Sequence, residues 1–140
     1  MSTLLASADD LYDSTADAAA FNESRRLAAL GTLVDEVPEH FKLRDVDWNT
    51  LLQYVVRHPE VIDVIAEAPV AIRRIFGPVR PFLDLVRDPE EGWESLFIAV
   101  PTNEPARQAL NRLQALDAQW FGDAARRSGF ALIVTIETDV

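Results

Sequence analysis

The sequence predicts an α+β fold in which N-terminal helices precede a β-β-α-β tail with a three-stranded sheet. Three observations carry this expectation. Up to about residue 77, apolar residues recur every three or four positions, the period of a helix with one buried stripe. After Pro78 the pattern changes to short runs of strand formers, "FLDLV" and "LFIAV". One more helical stripe then leads into "FALIVTIE", the strongest strand candidate in the chain.

The chain has 140 residues, 49% of them apolar and 26% charged, which suits one globular domain. That domain is expected over 21–140, helical to about residue 77 and β-β-α-β from about residue 79. Residues 1–20, rich in Ala, Ser, Thr and Asp, read as a mobile start. A formal charge of −10 repels phosphate backbones and argues against nucleic-acid binding. No cysteine is present, which excludes disulfides, thiolate metal sites and a cysteine nucleophile. The start of the chain has no basic segment before an apolar run, and no window holds eighteen uninterrupted apolar residues. Neither a signal peptide nor a membrane span is expected, and the reading is a cytoplasmic protein.

The elements follow in order. Asn22 suits an N-cap for a helix with Leu27, Leu30, Leu33, Val34 and Val37 on its stripe, closed by Pro38. Asp47 caps a second helix through Trp48, Leu51, Leu52, Val55 and Val56, and His58 before Pro59 ends it. Pro59 opens a further helix, and Pro69 reads as a restart that runs to Gly77. In the tail, Leu96, Ile98 and Val100 share one strand face and Phe97 and Ala99 the other, with Pro101 as the stop. Thr102 or Asn103 is the expected cap of a helix starting at Glu104, whose stripe is Ala106, Ala109, Leu110, Leu113, Leu116, Trp120 and Ala124. Gly129 stops it. The first two strands pair antiparallel. The third is placed beside the first, with a parallel crossover to the second as the alternative.

Few residues look like chemistry. The acidic loop "RDPEEGWE" lacks the alternating ligand spacing of a calcium loop, so a solvated hairpin turn accounts for it. Within it Trp93, with Glu90 and Glu91, is a candidate interaction surface. Phe121 is another, because consecutive helical residues point about 100° apart and Trp120 already occupies the stripe. Arg73, Arg74 and Arg80 form a local basic cluster that could take an anion; ion pairing with Asp63, Glu67 or Asp84 is their other use. Asp84 and Glu137 fall in strands that could be neighbours, but nothing linear makes them a catalytic pair. His40 and His58 have no metal-binding partner at helical spacing, and the serines and glycines form neither a nucleophile elbow nor a phosphate loop. No cofactor and no metal is expected.

From about Val46 onward, "VDWNTLLQYV", "HPEVI", "LVRDPEEGWESLFIAV" and "LNRLQALDAQWF" with the closing apolar strand resemble a group of small bacterial proteins. That resemblance implies the tail architecture and carries no activity. The functional expectation is a non-enzymatic protein-interaction or regulatory module. It would bind a protein partner or a second copy of itself through a sheet edge and exposed aromatics, and an acidic antitoxin-like inhibitor of a basic protein is one form. The alternative is a small-ligand-binding protein or enzyme with a pocket near the arginine cluster.

Overall fold

A computed structural model describes residues 33–138, together with 20, 23, 24, 27, 28, 30 and 31. The chain divides into two compact units, residues 1–32 and 33–140. In the first, the seven described residues are helical. The expected mobile start at 1–20 and the Asn22 cap lie, Ala20 apart, outside the described residues.

The second unit mixes helices with a sheet, as expected of an α+β chain. Residues 33–40 are helical, with Leu33 and Val37 buried one turn apart. Pro38 lies within this helical segment and does not end it. Strand β1 (Lys42–Arg44) follows, then helices α1 (Trp48–Arg57) and α2 (Val61–Phe76). Strands β2 (Phe82–Arg87) and β3 (Glu94–Thr102) form a hairpin. Helix α3 (Ala106–Leu116), a π-helical segment at Asp117–Phe121 and helix α4 (Gly122–Arg127) lead to β4 (Leu132–Thr138).

The sheet has four strands in the order β1-β2-β3-β4, not three. The missed strand is β1, only three residues of "FKLRDV", too short for a period-two pattern to show. It runs parallel to β2, pairing Lys42 with Phe82 and Arg44 with Asp84. β4 runs parallel to β3, from Leu96–Leu132 to Thr102–Thr138. The third expected strand therefore lies beside the second, not the first. The physical reason is that β1 already occupies the outer side of β2.

The pairings place Leu83, Leu85, Leu96, Ile98, Val100, Leu132, Val134 and Ile136 on one face. Six of these are buried, and the helices supply the other half of the core with Leu51, Tyr54, Val55, Ile62, Ile65, Ile72 and Leu116. At about 1.5–3 kcal/mol per buried large apolar side chain, this layer dominates the stability of the unit. The Tyr54 hydroxyl donates to the Ala131 carbonyl at 2.6 Å, fixing α1 to the start of β4. Arg112 of α3 is held by Glu104 at 2.8 Å and donates to the Ile75 carbonyl of α2 at 2.6 Å.

Two helix boundaries differ from the expectation for identifiable reasons. α2 runs through Pro69 without a restart. An interior proline costs about 3 kcal/mol. Six residues of α2 (Val61, Ile62, Val64, Ile65, Ala68 and Ile72) are buried, and that gain outweighs one missing hydrogen bond. α3 starts at Ala106 behind Pro105 rather than at Glu104, because the Thr102 hydroxyl accepts from the Glu104 N–H in a turn instead of capping a helix. Asp47 does cap α1, its Oδ1 accepting from the Thr50 N–H at 2.7 Å.

The long final helix is interrupted by its π segment, where the Gly122 N–H donates to the Asp117 carbonyl five residues back. The extra residue in this turn lets the Trp120 indole N–H reach Glu67 of α2 at 3.0 Å. Gly122 is required for it: a Cβ there would stand 2.9 Å from the Asp117 carbonyl oxygen. Gly122→Ala is expected to destabilise the chain by about 1–3 kcal/mol despite alanine's better helix propensity. Urea denaturation of the variant checks this, and a gain in stability would show that the turn relaxes at no cost.

Candidate functional site

Three regions hold the residues that can do more than pack. The first lies at the end of the sheet where β3 and β4 begin. The Leu96 N–H donates to the Ala131 carbonyl at 3.0 Å, and this bond fixes the parity of the parallel ladder. Ile133, Thr135 and Glu137 turn their peptide groups toward β3. Leu132, Val134, Ile136 and Thr138 turn theirs outward, along the edge. β4 has β3 as its one described neighbour, so this seven-residue edge carries a row of unpaired donors and acceptors. It contains no lysine, arginine or proline, and Ile133 is 36% exposed beside it.

Phe130 stands at the head of this edge. Helix α4 ends with Gly129 N–H donating to the Arg126 carbonyl and Phe130 N–H to that of Ala125, the two bonds of a Schellman motif. In that motif the residue at the Phe130 position ordinarily folds its side chain back onto the helix. Here Phe130 is 68% exposed and takes a left-handed φ of 61°. A non-glycine residue in that region costs about 1–2 kcal/mol. An aromatic side chain is thus held in a strained backbone and in water at once. Trp93, 46% exposed, lies three residues before Leu96 and so at the same end of the sheet.

The second region is a charged bridge on the sheet face opposite the buried layer, where the pairings set Lys42, Arg44, Phe82 and Asp84 together. The Arg44 guanidinium lies 4.4 Å from the centre of the Phe82 ring. It donates to Asp84 at 2.6 and 3.0 Å and to Glu137 of β4 at 2.7 Å, with a second, shorter contact to Glu137. One arginine thus joins the first strand to the last. Its hydrogen bonds hold the Glu137 carboxyl below its ordinary value of 4.5. Asp84 and Glu137 are brought together across β3, not from neighbouring strands, as two partners of one cation. The lowered Glu137 carboxyl is the opposite of the raised pKa a general acid needs.

The third region is a cleft of about 500 Å³ beside β1, lined by Val34, Val37, Phe41, Leu43, Trp48 and Arg80 among others. One member of the expected arginine cluster, Arg80, lines it. Of that cluster, Arg73 and Arg74 are exposed in the last turn of α2, and only Arg80 reaches the cleft. Arg80 donates to the Phe41 carbonyl at 3.1 Å and to that of Pro38. Two of the acids expected to pair with these arginines are taken elsewhere: Glu67 holds Arg127 at 2.6 and 2.8 Å and Asp84 holds Arg44, while Arg57 pairs with Glu94 at 3.2 Å.

Glu90 and Glu91 sit in a turn organised by Asp88, whose Oδ1 accepts from both of their N–H groups at 2.8 Å, while their side chains are exposed. Phe121 is half-buried in the π segment, its ring 6.0 Å from that of Trp120. Trp93 and Phe121 therefore stand on separate elements. Sequence reasoning missed Phe130, which it took as the first residue of a strand; the glycine before it marks a helix end but not an exposed ring. Among the described residues, no three His, Asp or Glu side chains are grouped so as to hold a metal ion, and no helix is long and apolar enough to cross a membrane. Comparison with family models, curated proteins and solved structures returned no match.

The bridge has a measurable signature. Glu137's folded pKa is lowered, so its contribution is complete above the unfolded value of 4.5 and fades as pH falls through the folded value. Arg44→Met keeps the apolar stem over Phe82 and is expected to cost about 1 kcal/mol near pH 7, the modest figure suited to a partly exposed pair. That difference from the parent chain should shrink toward about pH 3 as the carboxyl protonates. Urea titrations at the two pH values check it; an equal loss at both would mean that packing over Phe82, not charge, is what Arg44 contributes.

Proposed function

We propose that this chain is a protein-interaction module that accepts a partner strand along the outer edge of β4, with Phe130 and Trp93 as aromatic anchors at its head. The observation that carries the reading is Phe130. An exposed ring in a left-handed backbone conformation lowers the stability of the isolated chain twice over, and such strain is characteristic of residues held for contact. The edge beside it supplies the directional part of recognition. A strand added to a sheet gains main-chain hydrogen bonds from the edge and specificity from alternate side chains. Ile133, Thr135 and Glu137 would present those side chains on one face of the seam. Exposed tryptophan and phenylalanine at its end fit the aromatic enrichment of binding hot spots. The acidic hairpin residues Glu90 and Glu91 sit next to Trp93 in sequence and would favour a partner surface that is neutral or basic there.

A second reading draws on the cleft beside β1. Its walls are apolar and Lys42 and Arg80 lie at it, which suits a small amphiphile with a negative head. It ranks below the first because Arg80 is committed to two backbone carbonyls and leaves Lys42 as the cation to meet a ligand.

Phe130→Gly separates contact from stability. Glycine takes the left-handed region freely, so the variant is expected to gain about 1 kcal/mol in urea denaturation. A photo-crosslinking amino acid at position 133, in the full chain, should at the same time give less protein–protein product in the Phe130→Gly background. A loss of stability, with crosslinking unchanged, would make Phe130 a packing residue and remove the support for this function.

A further inference from the structure

Resting on that reading, we infer that the strand accepted by the β4 edge is β4 of a second copy of this chain, so that two sheets join into one across a two-fold axis. The ladder parity defines the register. Antiparallel pairing about Thr135 sets Val134 opposite Ile136 of the other copy and Leu132 opposite Thr138, and these are the residues whose peptide groups face outward. Every outward group of β4 then finds a partner. Thr135 meets its own counterpart on the axis, and Ile133 stands opposite Glu137.

Charge pattern and length favour this edge over the other for self-pairing. The one ionised residue of β4 is Glu137, and it is paired with Arg44 of its own chain, which it shares with Asp84. In the proposed register Glu137 faces an isoleucine, so no like charges oppose each other. The β1 edge offers less: antiparallel self-pairing about Leu43 would join only three residues of each copy. β1 also has the short, basic character by which natural sheets protect an edge, whereas β4 is seven residues long and has no lysine, arginine or proline. The two-fold also gives Phe130 a place. Each ring lies two residues before Leu132, at the end of the seam where the other copy's Thr138 would pair.

Association works against the net charge of −10 on each chain. A dimer is therefore expected to tighten as salt screens that repulsion, whereas a basic protein partner would bind more weakly in salt. The salt response distinguishes a second copy from an unlike partner.

The test is sedimentation equilibrium of the full chain over a range of concentration and salt, joined to amide hydrogen exchange. The expected result is a dimer favoured by salt, in which the Val134 and Ile136 amides exchange slowly and become fast on dilution. Ile133 and Thr135, bonded to β3, stay slow throughout. Ile136→Pro removes an outward donor and is expected to weaken dimerisation about tenfold or more. Thr135→Lys, which places two cations on the axis and leaves the inward bonds intact, provides the same readout should the proline variant fail to fold. A chain that stays monomeric with fast Val134 and Ile136 amides overturns the inference. So does a monomer in which they are slow, since the edge is then covered by its own chain, and so does a dimer in which they remain fast. Crosslinking from position 133 to an unlike protein, lost in Phe130→Gly, would in any of these cases leave the interaction reading standing without self-association.

Discussion

The carbonyl of Ala131 is the contact from which the arrangement of this unit follows. It accepts from the Leu96 N–H, which sets the register of β3 and β4, and from the buried Tyr54 hydroxyl, which places α1 over the sheet. A carbonyl has two lone pairs, and both are used. Because the side-chain period of a strand is two, a slip of one residue here would turn Leu132 and Val134 from the core to the opposite face. It would also exchange the peptide groups that face β3 with those that face outward. The same bond therefore decides what is buried and what is offered along the edge. Tyr54 cannot relax this choice cheaply, since a buried hydroxyl without its acceptor carries a desolvation cost of about 1–3 kcal/mol.

The two edges of the sheet are unlike because of one residue. Arg44 reaches from β1 to Glu137 on β4, over the Phe82 ring. At β1 it leaves a short strand of basic character. At β4 it pairs with Glu137, the one ionised residue of the strand, so that in a chain with 23 acidic residues this edge carries a single carboxylate. Lysine in place of Arg44 would not do the same, since a single ammonium cannot form a fork to two carboxylates in different strands.

What could be read from the sequence was whatever repeats. Leu51 and Val55 of α1, Ala109, Leu116 and Ala124 of the last helix, the Asp47 cap, the Gly77 stop and the alternation of Leu96, Ile98 and Val100 follow from periodicity and local chemistry. Val56, Ala106 and Leu110, expected on the same stripes, are exposed because no described element packs over that side. The rest depends on partners distant in sequence. β1 is three residues long, and its strand character exists only because Pro81 and Phe82 lie alongside. Pro69 reads as a stop until the buried stripe around it is counted. Pro101 reads as a strand end, yet β3 continues through it, because β2 has already finished and only β4 is alongside there. The strain and exposure of Phe130 are invisible in a string of letters, because "GF" after a helix more often folds the ring back. The Arg44 bridge, spanning 93 residues to Glu137, has no local signal at all.

Acidity and the sparsely charged seam act together. A surface of one sign keeps copies of a protein apart, and it does so at every orientation that sets charged faces against each other. An orientation that joins β4 to β4 would escape part of this repulsion, since the one carboxylate of that strand is paired with Arg44. Specificity then comes less from added attraction at the seam than from the cost of every other approach. In such a design strong attraction at the edge is unnecessary and would be harmful, because a sticky strand of seven residues is also a template for aggregation. The observed strand meets that limit: threonines at 135 and 138 and a paired glutamate dilute its apolar character.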